Sequence, residues 1–69
     1  MQELAQRLRD QRRLKGKTQN ELAELLNVHR ATYGEYERGN NLPPIDKLVI
    51  IADALNVSID YLVGTEEKK

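Results

Sequence analysis

The six residues Ala23-Glu24-Leu25-Leu26-Asn27-Val28 return 29 positions later as Ala52-Asp53-Ala54-Leu55-Asn56-Val57, with the shared pattern Ala-acid-x-Leu-Asn-Val. Each copy reads as a helix end, an asparagine in a left-handed turn, and a valine returning to the core before the next helix. Asparagine enters that backbone region less readily than glycine but more readily than most residues. A chain that stops its helices this way is built from short helices and tight turns. Two copies do not make a solenoid, so the echo is a helix-turn-helix device used twice within one domain.

Five helical segments follow from this framing. The first runs from Gln2 to Lys15 and stops at Gly16, a residue suited to the left-handed position after a helix. On it Leu4, Leu8, Gln11 and Arg12 share one stripe, which puts an arginine at the edge of the buried face. Thr18-Gln19-Asn20-Glu21 opens the second segment as a capping box, with Leu22, Ala23 and Leu26 on its apolar side. The third, His29 to Arg38, turns Tyr33, Tyr36 and Glu37 inward and leaves Ala31, Gly34, Glu35 and Arg38 on the other side. The run Gly39-Asn40-Asn41-Leu42-Pro43-Pro44 is the one strong loop signal. Pro44 suits the start of the fourth helix, whose apolar stripe is Ile45, Leu48, Val49, Ile51, Ala52 and Leu55. Ser58 caps a short fifth helix bearing Ile59, Leu62 and Val63, and Val57 and Leu62 are placed to staple its start. The fold class is all-α, a compact five-helix domain over 1–64 with the helix-turn-helix at about 18–38. The polar residues Thr65 to Lys69 form a solvated tail or the stub of a linker.

Several function classes fall away. With 69 residues and no cysteine, neither disulfides nor thiolate zinc can supplement the core. The longest apolar run, Leu48 to Ile51, is far short of the roughly 20 residues that span a bilayer. The N-terminus lacks a signal-peptide pattern, so a cytoplasmic protein without a membrane partner is expected. His29 is the single histidine and there is no Gly-rich phosphate loop. No catalysis, metal, cofactor or small-molecule ligand is expected.

Charge alone leaves the partner open. The chain has 11 basic and 11 acidic residues, but residues 1–17 carry six cations against Glu3 and Asp10. A basic first helix can face phosphates, or it can simply be solvated. Geometry says more. Two short helices so linked cannot hide every face, and the outer face of the second can enter a major groove about 12 Å wide, although short helical pairs are common and do not by themselves mean DNA binding.

The segments Thr18-Gln19-Asn20-Glu21-Leu22-Ala23, Leu26-Asn27-Val28, Tyr36-Glu37-Arg38-Gly39, Pro43 and Leu55-Asn56-Val57-Ser58 closely resemble the Cro and phage-repressor (Xre-type) helix-turn-helix family, in its order and spacing from Leu4 to Val63. The resemblance implies a lambda-repressor-like domain and a sequence-specific DNA-binding transcriptional regulator. It implies a repressor that binds an inverted-repeat operator in double-stranded DNA as a homodimer, with the third helix in the major groove. By position, Gln19 matches a residue touching backbone or an outer base. His29, Arg30, Ala31, Thr32 and Glu35 match base-facing positions, and Arg38, Asn40 and Asn41 match the stretch along phosphates. Arg12 and Glu37 match a structural ion pair, which their inward positions also call for, since a buried charge needs a partner. The chain departs from the family pattern at Asn27 for the turn glycine, His29 for a serine cap, Tyr33 for a β-branched residue, and Glu35 where a cation or amide is common.

Leu14, Leu25, Ile50 and, in the loop, Leu42 fall where the amphipathic pattern is wet. A homodimer is expected through the fifth helix, using Ile59, Tyr61, Val63 and Ile50, since a twofold protein matches a palindromic site. The alternative is a protein-interaction module of the same fold, antitoxin-like or regulating a larger repressor.

Overall fold

The computed structural model describes residues 2–64; the polar tail lies outside the described residues. Five helices follow in order: α1 (Gln2–Leu14), α2 (Gln19–Leu26), α3 (Arg30–Arg38), α4 (Ile45–Leu55) and α5 (Ile59–Val63), with no strand among the described residues. α1 lies against α3 and α5, α2 against α3 and α4, and α4 against α5.

Local chemistry sets the boundaries. Thr18 Oγ1 accepts from the Glu21 amide at 3.1 Å while Glu21 Oε1 accepts from the Thr18 amide at 2.8 Å, so the capping box closes in both directions. Ser58 Oγ accepts from the Tyr61 amide at 2.9 Å and starts α5 in the same manner. The echoed hexapeptides close their helices alike. Asn27 sits at φ 58° and ψ 44°, Asn56 at φ 58° and ψ 46°. The Val28 amide donates to the Ala23 carbonyl, and the Val57 amide to the Ala52 carbonyl, each at 3.0 Å. These bonds satisfy carbonyls that a helix end would otherwise orphan, and they return each valine to the core edge.

Leu8, Leu22, Leu26, Tyr33, Ile51, Leu55 and Leu62 are fully enclosed, drawing the core from all five helices. Burying each such leucine or isoleucine contributes about 1.5–3 kcal/mol relative to exposure. Tyr33 and Tyr36 meet edge to face, ring centroids 6.0 Å apart, and both lie inward as their helical arc requires.

Three expectations are corrected. α1 ends at Leu14, one residue early, because the Gly16 amide bonds to Arg13 and the Lys17 amide to Arg12 in a closing turn. His29 precedes α3 rather than beginning it. The apolar stripe of α4 is narrower than its sequence: Leu48, Ile51, Ala52 and Leu55 are buried, but Ile45 is 68% and Val49 47% exposed. The buried four fill the arc facing α2 and α5, and Ile45 and Val49 sit on a flank past its edge. Leu14, Leu25, Leu42 and Ile50 are exposed, as the pattern anticipates.

Candidate nucleic-acid interface

The outer face of α3 is held in place by an ion pair behind it. Arg12 of α1 and Glu37 of α3 are 9% and 3% exposed. The guanidinium grips the carboxylate with two bonds, Nε to Oε2 at 2.6 Å and Nη2 to Oε1 at 3.1 Å. Arg12 Nη1 also donates to the Lys17 carbonyl at 3.0 Å, and Gln19 Nε2 donates to Glu37 Oε1 at 3.0 Å. Burial pushes the Glu37 carboxyl up, but hydrogen bonds from Arg12 and Gln19 outweigh it and hold the group below its ordinary pKa. The Glu37 hydrogen bond is the main reason the Arg12 guanidinium is raised in turn. The enclosed Tyr33 hydroxyl finds no hydrogen-bond partner of good geometry among the described residues; burial first, then the Glu37 carboxylate beside it, push its pKa up.

The network continues outward. Gln19 Oε1 accepts from Arg30 Nη1 at 2.9 Å. Arg30 is exposed on the first turn of α3, so an unbroken path runs from the Arg12–Glu37 pair through Gln19 to a surface guanidinium. Gln19, half-buried, faces Arg30 and Glu37 rather than open solvent.

Of the other candidates, His29, standing where the family pattern has a serine cap, is exposed at φ −68° and ψ 146° and makes no capping hydrogen bond with its side chain. Ala31 is exposed and Thr32 half-buried. Glu35 does not present a free carboxylate: Arg38 Nη2 donates to its Oε2 at 2.6 Å and Asn40 Nδ2 to its Oε1 at 2.8 Å. Those two bonds, Arg38's first, hold its pKa below the ordinary carboxylate range. Gly34, expected on the outer face, is buried; the Arg38 guanidinium covers it. The Asn40 and Asn41 amides reach back to the Glu35 carbonyl at 3.0 and 3.4 Å and close α3 behind Gly39, at φ 79°.

The basic first helix has uses that its sequence does not signal. Arg7 donates to the Tyr61 carbonyl of α5, pairs with Glu3 at 3.0 Å, and stacks 4.8 Å from the Tyr61 ring centroid. Lys15 donates to the Leu55 carbonyl at the end of α4. These cations complement the negative ends of two helices. Their partners are backbone groups distant in sequence, so no local signal could have found them. Tyr61 is thus packed against α1, and Ile59 is half-buried against the core; Ile50 and Val63 stay 38% and 37% exposed. No helix among the described residues is long and apolar enough to cross a membrane.

A helix-turn-helix family model matches residues 8–62. The transcriptional repressor RstR of the cryptic phage CTXphi in Vibrio cholerae is 43% identical over 61 residues, covering 88% of this chain and 54% of that protein. The N-terminal DNA binding domain of SinR from Bacillus subtilis superposes with a TM-score of 0.82 at 30% identity, over 99% of this chain and 97% of that one. The restriction-modification controller protein C.AhdI from Aeromonas hydrophila gives a TM-score of 0.79 at 33% identity, over 88% of this chain and 92% of that one. The chain spans about half the length of the first curated relatives it matches.

Proposed function

Because the chain belongs to the helix-turn-helix family, of the Cro and phage-repressor type, we propose that it is a sequence-specific DNA-binding transcriptional regulator that represses by occupying promoter DNA. The observation that carries this reading is the exposed first turn of α3, where Arg30 is tethered through Gln19 to the buried Arg12–Glu37 pair. A helix fixed to its neighbours and bare on its outer side can enter the major groove with its N-terminal residues at base edges. Arg30, Ala31 and Thr32 lie at the groove floor, His29 and Gln19 at its rim, and Asn40 and Asn41 along a phosphate strand. Such a protein works in the cytoplasm, without cofactor or metal.

It acts as a homodimer on an inverted repeat. Ile50 and Val63 supply the apolar contact, and Ile59 and Tyr61, anchored to the core and to α1, back it. The test is a binding-site selection from random duplexes, with sedimentation of the protein alone and on the selected site. A palindromic consensus bound two chains at a time is expected, released as salt rises above ~0.15 M through loss of phosphate contacts. Absence of any selected sequence, with capture of a protein partner instead, would favour an interaction module of the same fold.

A further inference from the structure

The middle of α3 contains an arrangement that the fold does not require. Gly34 lies inside a helix, where glycine is a poor choice. It has no left-handed backbone to excuse it, and the atoms nearest a Cβ there belong to the Arg38 guanidinium, Nη1 at 3.5 Å, an ordinary contact. The Arg38 side chain runs back toward the helix N-terminus, as helical side chains do, and lays its guanidinium over Gly34. Arg38 and Ala31 are seven residues apart, about 20° short of two full turns, so they share the outward line of the helix. Two small residues on that line leave room for one planar group.

That group is held. Glu35 Oε2 accepts from Arg38 Nη2, and Glu35 Oε1 accepts from Asn40 Nδ2, so the loop fixes the carboxylate and the carboxylate fixes the guanidinium. The Arg38 side chain is nonetheless 58% exposed, and Glu35 engages only its Nη2 edge. A phosphate contact is weakened by this arrangement, because the adjacent Glu35 carboxylate offsets the attraction of the guanidinium for a phosphate. A base edge does gain, because the guanidinium fork must meet two acceptors in one plane.

Building on the DNA-binding reading of α3, we propose that Arg38 reads the O6/N7 edge of a guanine in the major groove, with Glu35 as its positioning residue. This differs from the phosphate role implied for Arg38 by its position in the family pattern. Glu35 then has two effects: it orients the fork, and its charge keeps the guanidinium from settling on phosphate.

The experiment measures affinity of the intact chain for its selected site and for every single-base variant of it, across a salt series. Wild type is compared with Arg38→Ala, Arg38→Lys, Glu35→Ala and the Arg38→Ala/Glu35→Ala pair, with thermal unfolding of each to show a native fold. Arg38→Ala is expected to erase a preference of about 5- to 150-fold for guanine at one position while leaving the salt slope unchanged. Arg38→Lys, which keeps the charge without the fork, relaxes the same position. Glu35→Ala also relaxes that position and raises affinity for random DNA, and the double variant discriminates no worse than Arg38→Ala. Uniform weakening on all sequences by Arg38→Ala, with the salt slope reduced by about one, would make Arg38 a phosphate contact and overturn the proposal. So would a Glu35→Ala effect at a different position. If wild type selects no sequence, the DNA-binding reading fails together with this one; if it selects a site that Arg38 does not read, this one fails alone.

Discussion

Replacing Arg12 with methionine isolates what the buried ion pair does. Methionine fills the space of the arginine stem but leaves the Glu37 carboxylate, 3% exposed, with one hydrogen bond of three, that from Gln19. The Lys17 carbonyl also loses a donor, but Lys17 is exposed and water replaces it. The cost is therefore that of stranding a buried carboxylate, about 3–5 kcal/mol. A single core in a domain of this size supplies about 3–5 kcal/mol in total, so Arg12→Met is expected to be largely unfolded at 25 °C. Adding Glu37→Leu removes the stranded charge and should restore most of the loss, since breaking a pair is costly while replacing it whole is not. Thermal and urea unfolding followed by circular dichroism give both values. A native-like melting temperature for Arg12→Met would refute the reasoning, as would a double variant no more stable than the single.

Four further outcomes are expected. Thr18→Ala removes the acceptor for the Glu21 amide and should cost about 1 kcal/mol in urea unfolding, with α2 still formed. The folded-state pKa of Glu37 lies below its ordinary 4.5, so its contribution is present above that value and is lost as pH falls through it toward the folded pKa; melting temperature should drop below about pH 4.5, and less steeply in Glu37→Gln. Gly34→Ala adds a Cβ in ordinary contact with Arg38 and should raise stability by about 0.5–1 kcal/mol, measured by urea unfolding. Arg30→Ala should weaken operator binding by about 1–3 kcal/mol in a titration and change stability by no more than about 0.5 kcal/mol, because its one hydrogen bond is exposed.

What could be read from the sequence divides by the range of the physics involved. Caps and stops are settled within five residues, which is why the Thr18 box, the Ser58 cap and the left-handed Asn27 and Asn56 are all legible. Arcs on a helix are settled within two turns, so Tyr33, Tyr36 and Glu37 could be placed inward and Arg12 at the edge of the buried stripe; that Arg12 and Glu37 are each other's partner is implied by the resemblance to the family pattern. Where a stripe ends depends on which neighbours arrive, and Ile45 and Val49 read as core although the described residues leave them 68% and 47% exposed. Backbone carbonyls carry no mark in the sequence at all. Nothing about Arg7 or Lys15 announces a bond to Tyr61 or Leu55, and a solvated or phosphate-facing helix was the natural expectation for them. The fold of Arg38 over Gly34 was hidden for a related reason: the outward arc gives a direction for each Cβ, not the reach of a long side chain beyond it.

The neutral formula of the chain conceals how its charges are used. Arg7, Arg12 and Lys15 are committed to helix ends and to Glu37, so half of the six cations in the first 17 residues are engaged inside the fold. On α3 the Arg38 charge is matched by Glu35, and Arg30 is bonded to an uncharged amide. A surface arranged this way has little charge to spend on indiscriminate attraction to DNA, so any discrimination it achieves must come from oriented donors. Orientation in turn depends on the interior. Arg30 is aimed by Gln19, Gln19 is held by Glu37, and Glu37 is held by Arg12. The same carboxylate that keeps α1 joined to α3 therefore terminates the chain of bonds behind the exposed guanidinium. A substitution that removes the Glu37 acceptors therefore loosens both the join between α1 and α3 and the support behind Arg30, even though Glu37 is buried.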